Sequence, residues 1–415
     1  MANNNDNKVL NVPPLRFPEF TKEWEEHALA EYLDFKNGLN PDVKRIGRGL
    51  PFISVMDILA DGTINYDSIR GKVEATEREI ENFSVEKGDI LFQRSSETLE
   101  DVGRANVYMD NRTAVYGGFV IRGRKIGDYN PLFFKYLLST PLARKRTCRM
   151  GAGAQHFNIG QDGLSKISLC FPLMEEQNKI ARLLSLIDER IATQNKIIEK
   201  LQSLIKGLVD SLLENPSWEK VYLRSFMQFY STNSLSWEQL SYSNGNVRNL
   251  HYGLIHGFQT SMIDSTLLPR ILPNYQPKQY TVCQDGDVAF ADASEDTNEI
   301  GKAIEFSNTI DVKTVCGLHT IHGRDIKQNT ILGFKGFAFN SRYFHDQVRR
   351  LAQGTKVYSI TAKNLSSCYV YIPDMIKQEN VVRLLNAYEE NLSLNRTLLN
   401  KYEIQKQYLL QQMLI

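Results

Sequence analysis

Two stretches of this chain set cations, glycine, amides and an aromatic ring side by side. The first runs through Lys145, Arg146 and Arg149 to Gly153, Gln155, His156 and Asn158. The second runs through Arg349 and Arg350 to Gly354, Thr355, Lys356 and Tyr358. Arg149 and Arg350 hold equivalent places, as do Gly153 and Gly354, and Phe157 and Tyr358. A basic helix end followed by a glycine loop lets cationic side chains and backbone N–H groups reach phosphate oxygens, while amides and an aromatic address base edges. A charged surface helix closed by a glycine is the plainer reading of either stretch alone. A second polar surface follows two Gly-Asp turns: Gln93, Arg94, Ser95 and Ser96 after Gly88-Asp89, and Asp292, Ser294 and Asn298 after Gly286-Asp287. There the framework matches between copies and the polar residues differ, as two domains reading different sequences require.

Catalytic signatures are absent. There is no phosphate loop with its lysine, no His-Glu-x-x-His, no Gly-x-Ser-x-Gly elbow and no glycine-rich dinucleotide turn. Gly151-Ala-Gly153 lacks the lysine, and its echo keeps one glycine. His251 and His256 read as satisfied surface histidines. The five cysteines have no Cys-x-x-Cys pair, which fits reduced thiols in a cytoplasmic protein better than a disulfide framework or a zinc site. No metal ligand is expected.

These stretches recur because the chain repeats itself. VEKGDILFQRSSETLEDVGRANV from Val85 is echoed by VCQDGDVAFADASEDTNEIGKAI from Val282, and FPLMEEQNKIARLL from Phe171 by IPDMIKQENVVRLL from Ile372. Each copy ends in a heptad seam. Ile180, Leu184, Ile187, Ile191, Gln194, Ile198 and Leu201 fall at steps of four and three; Val381, Leu385, Tyr388, Leu392, Asn395, Leu399 and Tyr402 repeat the pattern in phase. Gln194 and Asn395 place a polar amide at the same point, a device that fixes register. The expected organisation is a frayed tail (1–14), a globular domain (15–173), a helix (174–214), a second globular domain (215–373) and a second helix (374–415). The fold class is α/β (α+β): mixed short strands and helices, with the two long helices packed antiparallel. Packing of each seam on its own globular domain is the alternative. Helices are also expected at Pro131–Leu138 and its echo Ile331–Phe339.

Net charge is +1, with 42% hydrophobic and 23% charged residues. This counts mildly against a protein that coats nucleic acid non-specifically and leaves room for local basic faces. No apolar run approaches membrane-spanning length, and the polar start does not read as a secretory signal.

The order of parts resembles the DNA-specificity subunits of type I restriction-modification systems. Leu15-Arg-Phe-Pro-Glu-Phe20 precedes Glu23-Trp24-Glu25; Gly88-Asp-Ile-Leu91 follows; Pro172-Leu-Met-Glu-Glu-Gln177 leads into the heptad helix; the order then repeats from Trp218, with Val247-Arg-Asn-Leu-His-Tyr-Gly253 in the second half. The second copy departs at Pro373-Asp-Met-Ile-Lys-Gln378. The resemblance implies two target-recognition domains that each read half of a split site in double-stranded DNA, with the helices setting the gap between halves. It implies docking of two adenine-N6 methyltransferase subunits, which use S-adenosylmethionine, and two translocase/endonuclease subunits, which use ATP and magnesium. The chain itself would bind none of these cofactors and carry no active site. A coiled-coil scaffold with two protein-binding modules and no DNA contact is the competing reading.

Overall fold

The computed structural model describes residues 11–258 and 260–415. The chain divides into two compact units, one of residues 1–195 with 398–415 and one of residues 196–397. Their boundaries fall inside the two long helices, so each unit holds a globular part and a segment of both helices.

In the first unit the strands Leu33–Asn37, Val120–Lys125, Ile90–Gln93 and Ala105–Val107 form one sheet in that order. In the second unit Met227–Tyr230, Thr320–Asp325, Val288–Ala291 and Ala303–Ser307 repeat it, and Met262–Asp264 adds a parallel edge. Both Gly-Asp turns are built alike. Gly88 and Gly286 adopt positive φ (98° and 86°), which a side chain disfavours. Asp89 then accepts the Glu86 N–H (2.9 Å) and Asp287 the Gln284 N–H (2.8 Å).

The helices are Met174–Leu213 and Met375–Met413. Each starts on a buried glutamine. Gln177 accepts the Asn130 N–H (3.0 Å) and donates to the Pro172 carbonyl (3.0 Å); Gln378 accepts the Ile331 N–H (3.0 Å) and donates to the Pro373 carbonyl (3.0 Å). The altered residues before Gln378 therefore leave the latch intact. What differs is one place earlier. Glu176 is buried in a two-pronged ion pair with Arg16 (2.7 Å), whereas Lys377 pairs with Asp374 (2.8 Å) at the surface.

The seam faces inward. Ile180, Leu184, Ile187, Gln194, Ile198, Val381, Leu385 and Leu392 are buried; Ile191, Leu201, Tyr388, Asn395, Leu399 and Tyr402 are half-buried. In the first unit Ile180, Leu184 and Ile187 share a core with Leu409, Met413 and Leu414, and Asp188 meets Lys406 at 2.6 Å. Rising numbers on one helix meet falling numbers on the other, which is antiparallel pairing. In the second unit Val209 and Leu213 share a core with Val381, Val382 and Leu385. Both cores also contain globular side chains, among them Trp24 and Phe133 in one, Phe334 and Phe344 in the other. Helix–helix and helix–domain packing thus occur together.

Three expectations need correction. The tail expected over 1–14 lies outside the described residues up to residue 10, and Asn11 is already tied down, its carbonyl accepting the Trp24 N–H at 2.9 Å. Pro131–Ser139 is helical with Asn130 as its cap, but the echo is helical only over Phe334–Ala338, because Gly333 takes φ 91°. His251 is not at the surface: it is buried against Trp237 and Tyr252, and its Nδ1 accepts the Gly253 N–H.

Candidate nucleic-acid interface

The two polar surfaces of each copy are one surface. Ser95–Ser96 pairs antiparallel with Phe157–Asn158, and Ala293–Ser294 pairs antiparallel with Tyr358–Ser359. Isolated bridges Ala152–Asn158 and Gln353–Ser359 then close the glycine stretches into hairpins. Each hairpin needs its glycine. Gly153 (φ 145°) and Gly354 (φ 133°) lie so close to the carbonyls of His156 and Val357 that a Cβ would stand 2.0 and 1.9 Å from those oxygens. The strand residue next to each ribbon is held identically: Arg94 donates its N–H to the Phe119 carbonyl (2.9 Å) and Asp292 to the His319 carbonyl (3.1 Å), while their own carbonyls accept from Ile159 (3.0 Å) and Ile360 (2.9 Å).

Backbone is therefore shared and side chains diverge. The first tip exposes Gln155 and His156, and the second exposes Thr355 and Lys356. Behind the first tip Lys145 and Arg149 are exposed at the end of helix Pro141–Cys148; behind the second Arg350 is exposed in helix Arg342–Leu351. Among the described residues no acidic partner reaches Arg149, Arg350 or Lys356, so their charge is free for an anion. Within the ribbons the Ser95 hydroxyl donates to the Asn158 side-chain oxygen, and the Asn158 amide nitrogen donates to the His156 carbonyl (3.4 Å). Ser294 and Tyr358 face each other in register.

Some sequence candidates lie elsewhere. Gln93 is buried in the sheet and donates to the Ser95 carbonyl (2.9 Å), so it supports the ribbon from below. Arg146 spans to Glu26 (3.0 Å) and to the Ser168 carbonyl, which ties the helix to the opening strand and takes it out of the exposed set. Arg94 reaches back to the Gly118 carbonyl (3.3 Å). Asn298 and Arg349 line a cavity of about 550 Å3 in the second unit, with Lys206, Arg342 and Arg396. Two residues escaped the sequence reading. Phe119, 68% exposed, and His319, at φ 54° and 3.2 Å from Asp292, occupy the same corner beside each ribbon. The signal for them was an aromatic ring one or two residues after a glycine between two short strands.

The cavity also holds Glu389, which accepts the Ser261 N–H (3.0 Å) and hydroxyl (3.1 Å). Burial pushes its carboxyl up from 4.5 to about 7, against the pull of the Ser261 bonds. The fold thus prefers the neutral acid. That preference stabilises fully below about pH 4.5 and is lost as pH rises through about 7, where the buried carboxylate costs roughly 2–3 kcal/mol. Glu389→Gln should raise the urea midpoint at pH 8 and leave it nearly unchanged at pH 5. An equal change at both would remove the titration.

Residues 21–203 match the family model described as the type I restriction modification DNA specificity domain. This part of the chain belongs to that family. The specificity domain thus holds the whole first ribbon and the first long helix up to residue 203. Similarity extends beyond it. The type I restriction enzyme MjaVIII specificity subunit of Methanocaldococcus jannaschii is 24% identical over 422 aligned positions, covering 94% of this chain and 91% of its own. The EcoKI specificity subunit of Escherichia coli is 25% identical over 210, covering 47% and 45%. The solved S subunit of the type I system of M. genitalium shares the fold with TM-score 0.60 at 14% identity, over 97% of this chain and 99% of that one. The resemblance read from the tandem order of parts is borne out. Among the described residues no helix is long and apolar enough to cross a membrane.

Proposed function

We propose that this chain is the DNA-reading subunit of a type I restriction-modification complex, with one ribbon and its basic helix end addressing each half of an asymmetric, two-part target. The observation that supports this most is the ribbon built twice on one backbone plan with different side chains at its tip. Cations behind the tip supply a salt-dependent phosphate attraction, and tip amides and rings supply base discrimination of about 1–3 kcal/mol per good bidentate contact. Methylation at adenine N6 and ATP-driven cleavage then fall to two methyltransferase and two translocase/endonuclease subunits, which use S-adenosylmethionine, ATP and magnesium in the cytoplasm. The chain's own role is the address and the spacing. A scaffold without DNA contact leaves the unpaired cations at both tips unexplained.

The test is binding of target DNA across a salt series, with the methyltransferase present. Arg149→Ala with Arg350→Ala should weaken binding and make the log–log salt slope shallower by roughly 2, about one per lost phosphate contact. Parallel slopes would show that neither arginine meets phosphate.

A further inference from the structure

We propose that the second unit contains a buried site for a thiophilic cation of the zinc class, formed by Cys283, Cys316 and His322. The three come from separate segments: Cys283 precedes strand Val288–Ala291, Cys316 ends strand Thr314–Cys316, and His322 lies in strand Thr320–Asp325. All three are buried, and one donor atom from each lies within 4.8 Å of the others. The two sulfur atoms are 3.6 Å apart. Two thiolates on one tetrahedral zinc, each at about 2.3 Å, stand ~3.8 Å apart, so almost no movement separates this pair from a chelating one.

The surroundings also suit a metal ligand. His322 Nε2 meets Asp287 Oδ2 at 2.8 Å, and Asp287 is in turn gripped by Arg324 Nε (2.8 Å) and Nη2 (2.7 Å). A carboxylate that fixes an imidazole from behind is the usual support of a metal-binding histidine. Binding converts both thiols to thiolates and releases two protons to solvent, with no oxidant needed. Three protein donors leave the fourth tetrahedral position to water.

The first unit supplies the contrast. Its matching positions are Val85, Tyr116 and Arg122, with the arginine over the tyrosine ring at 5.5 Å. The duplicated framework can therefore be filled without a thiol or an imidazole, and the second copy carries all three donors. Cluster and ribbon share a framework. His322 lies three residues beyond His319, and its strand pairs with Val288–Ala291, which leads to Asp292. A cation there would brace the base of the second ribbon alone.

The experiment is Co2+ titration of the full chain purified under reducing conditions, read by thiolate-to-cobalt absorption and by metal content. One equivalent should bind and give the charge-transfer band. Cys283→Ser and Cys316→Ser should each abolish the band, Cys368→Ser should keep it, and zinc should displace cobalt. Circular dichroism confirms that each variant is folded. No band in the wild type, a band that survives both cluster variants, or isolation of the pair as a disulfide overturns the proposal and leaves two thiols that merely fill a core.

Discussion

Gly354→Val is expected to erase reading of one half of the target while the other half is still read. The added Cβ would stand 1.9 Å from the Val357 oxygen, a contact with rigid backbone that no side-chain movement relieves. The hairpin 353–359 must open, and the exposed tip Thr355-Lys356 moves with it. Loss of even two base contacts at about 1–3 kcal/mol each weakens specific binding roughly 100-fold or more. The loop is exposed, so melting temperature should stay within a few degrees of wild type. Gly207→Ala is the control: it lies within the first long helix with nothing within 4 Å of its Cβ position, and should stabilise by up to ~1 kcal/mol without touching recognition. Competition against DNA altered in one half at a time decides it. If the variant keeps full discrimination in both halves, the hairpin is not the reading element.

Removing one heptad from each long helix, at matched points of the seam, is expected to shift the preferred gap between half-sites. Seven residues amount to about 10 Å of helix and hence ~3 base pairs. Deletion from both helices keeps the four–three spacing that buries Leu184 and Ile198 on one and Leu385 and Leu392 on the other. Binding to the original spacing should fall at least tenfold, while a library of shortened gaps yields a new optimum. Deletion from one helix alone should instead destabilise the packing, because every later seam residue keeps its face but is shifted by a full heptad against its partner. An unchanged optimum in the double deletion would show that helix length does not set the gap.

The long helices were legible because their information is local. A step of four and three repeated through Ile180, Leu184 and Ile187 specifies both a helix and its buried face. The ribbons were only half legible. Their chemistry stood out as basic and glycine-rich runs, but Ser95–Ser96 pairs with residues more than sixty positions away, and two-residue strands leave no periodic trace. Gln93 was misplaced for a related reason. Strand Ile90–Gln93 is buried on both faces, so no alternation marks which polar residue points in. Arg146 looked like a free cation because its partner, Glu26, is 120 positions distant. The second copy's short helix was missed at its start because the repeat was extrapolated across Gly333, which has no counterpart near Asn130. Cys283, Cys316 and His322 follow no metal motif, since their proximity is produced by a loop and by strands of two different sheets.

Exchange of the ribbon tips tests the account most directly. Residues 353–359 are replaced by 152–158, and residues 292–298 by 94–100, so that both units carry the first unit's side chains on a backbone plan they already share. Methylated-site mapping with the partner methyltransferase should then change from a target with two unlike halves to one whose halves are read alike, with the gap unaltered. A target that keeps its original second half after the exchange would place recognition elsewhere on the domain.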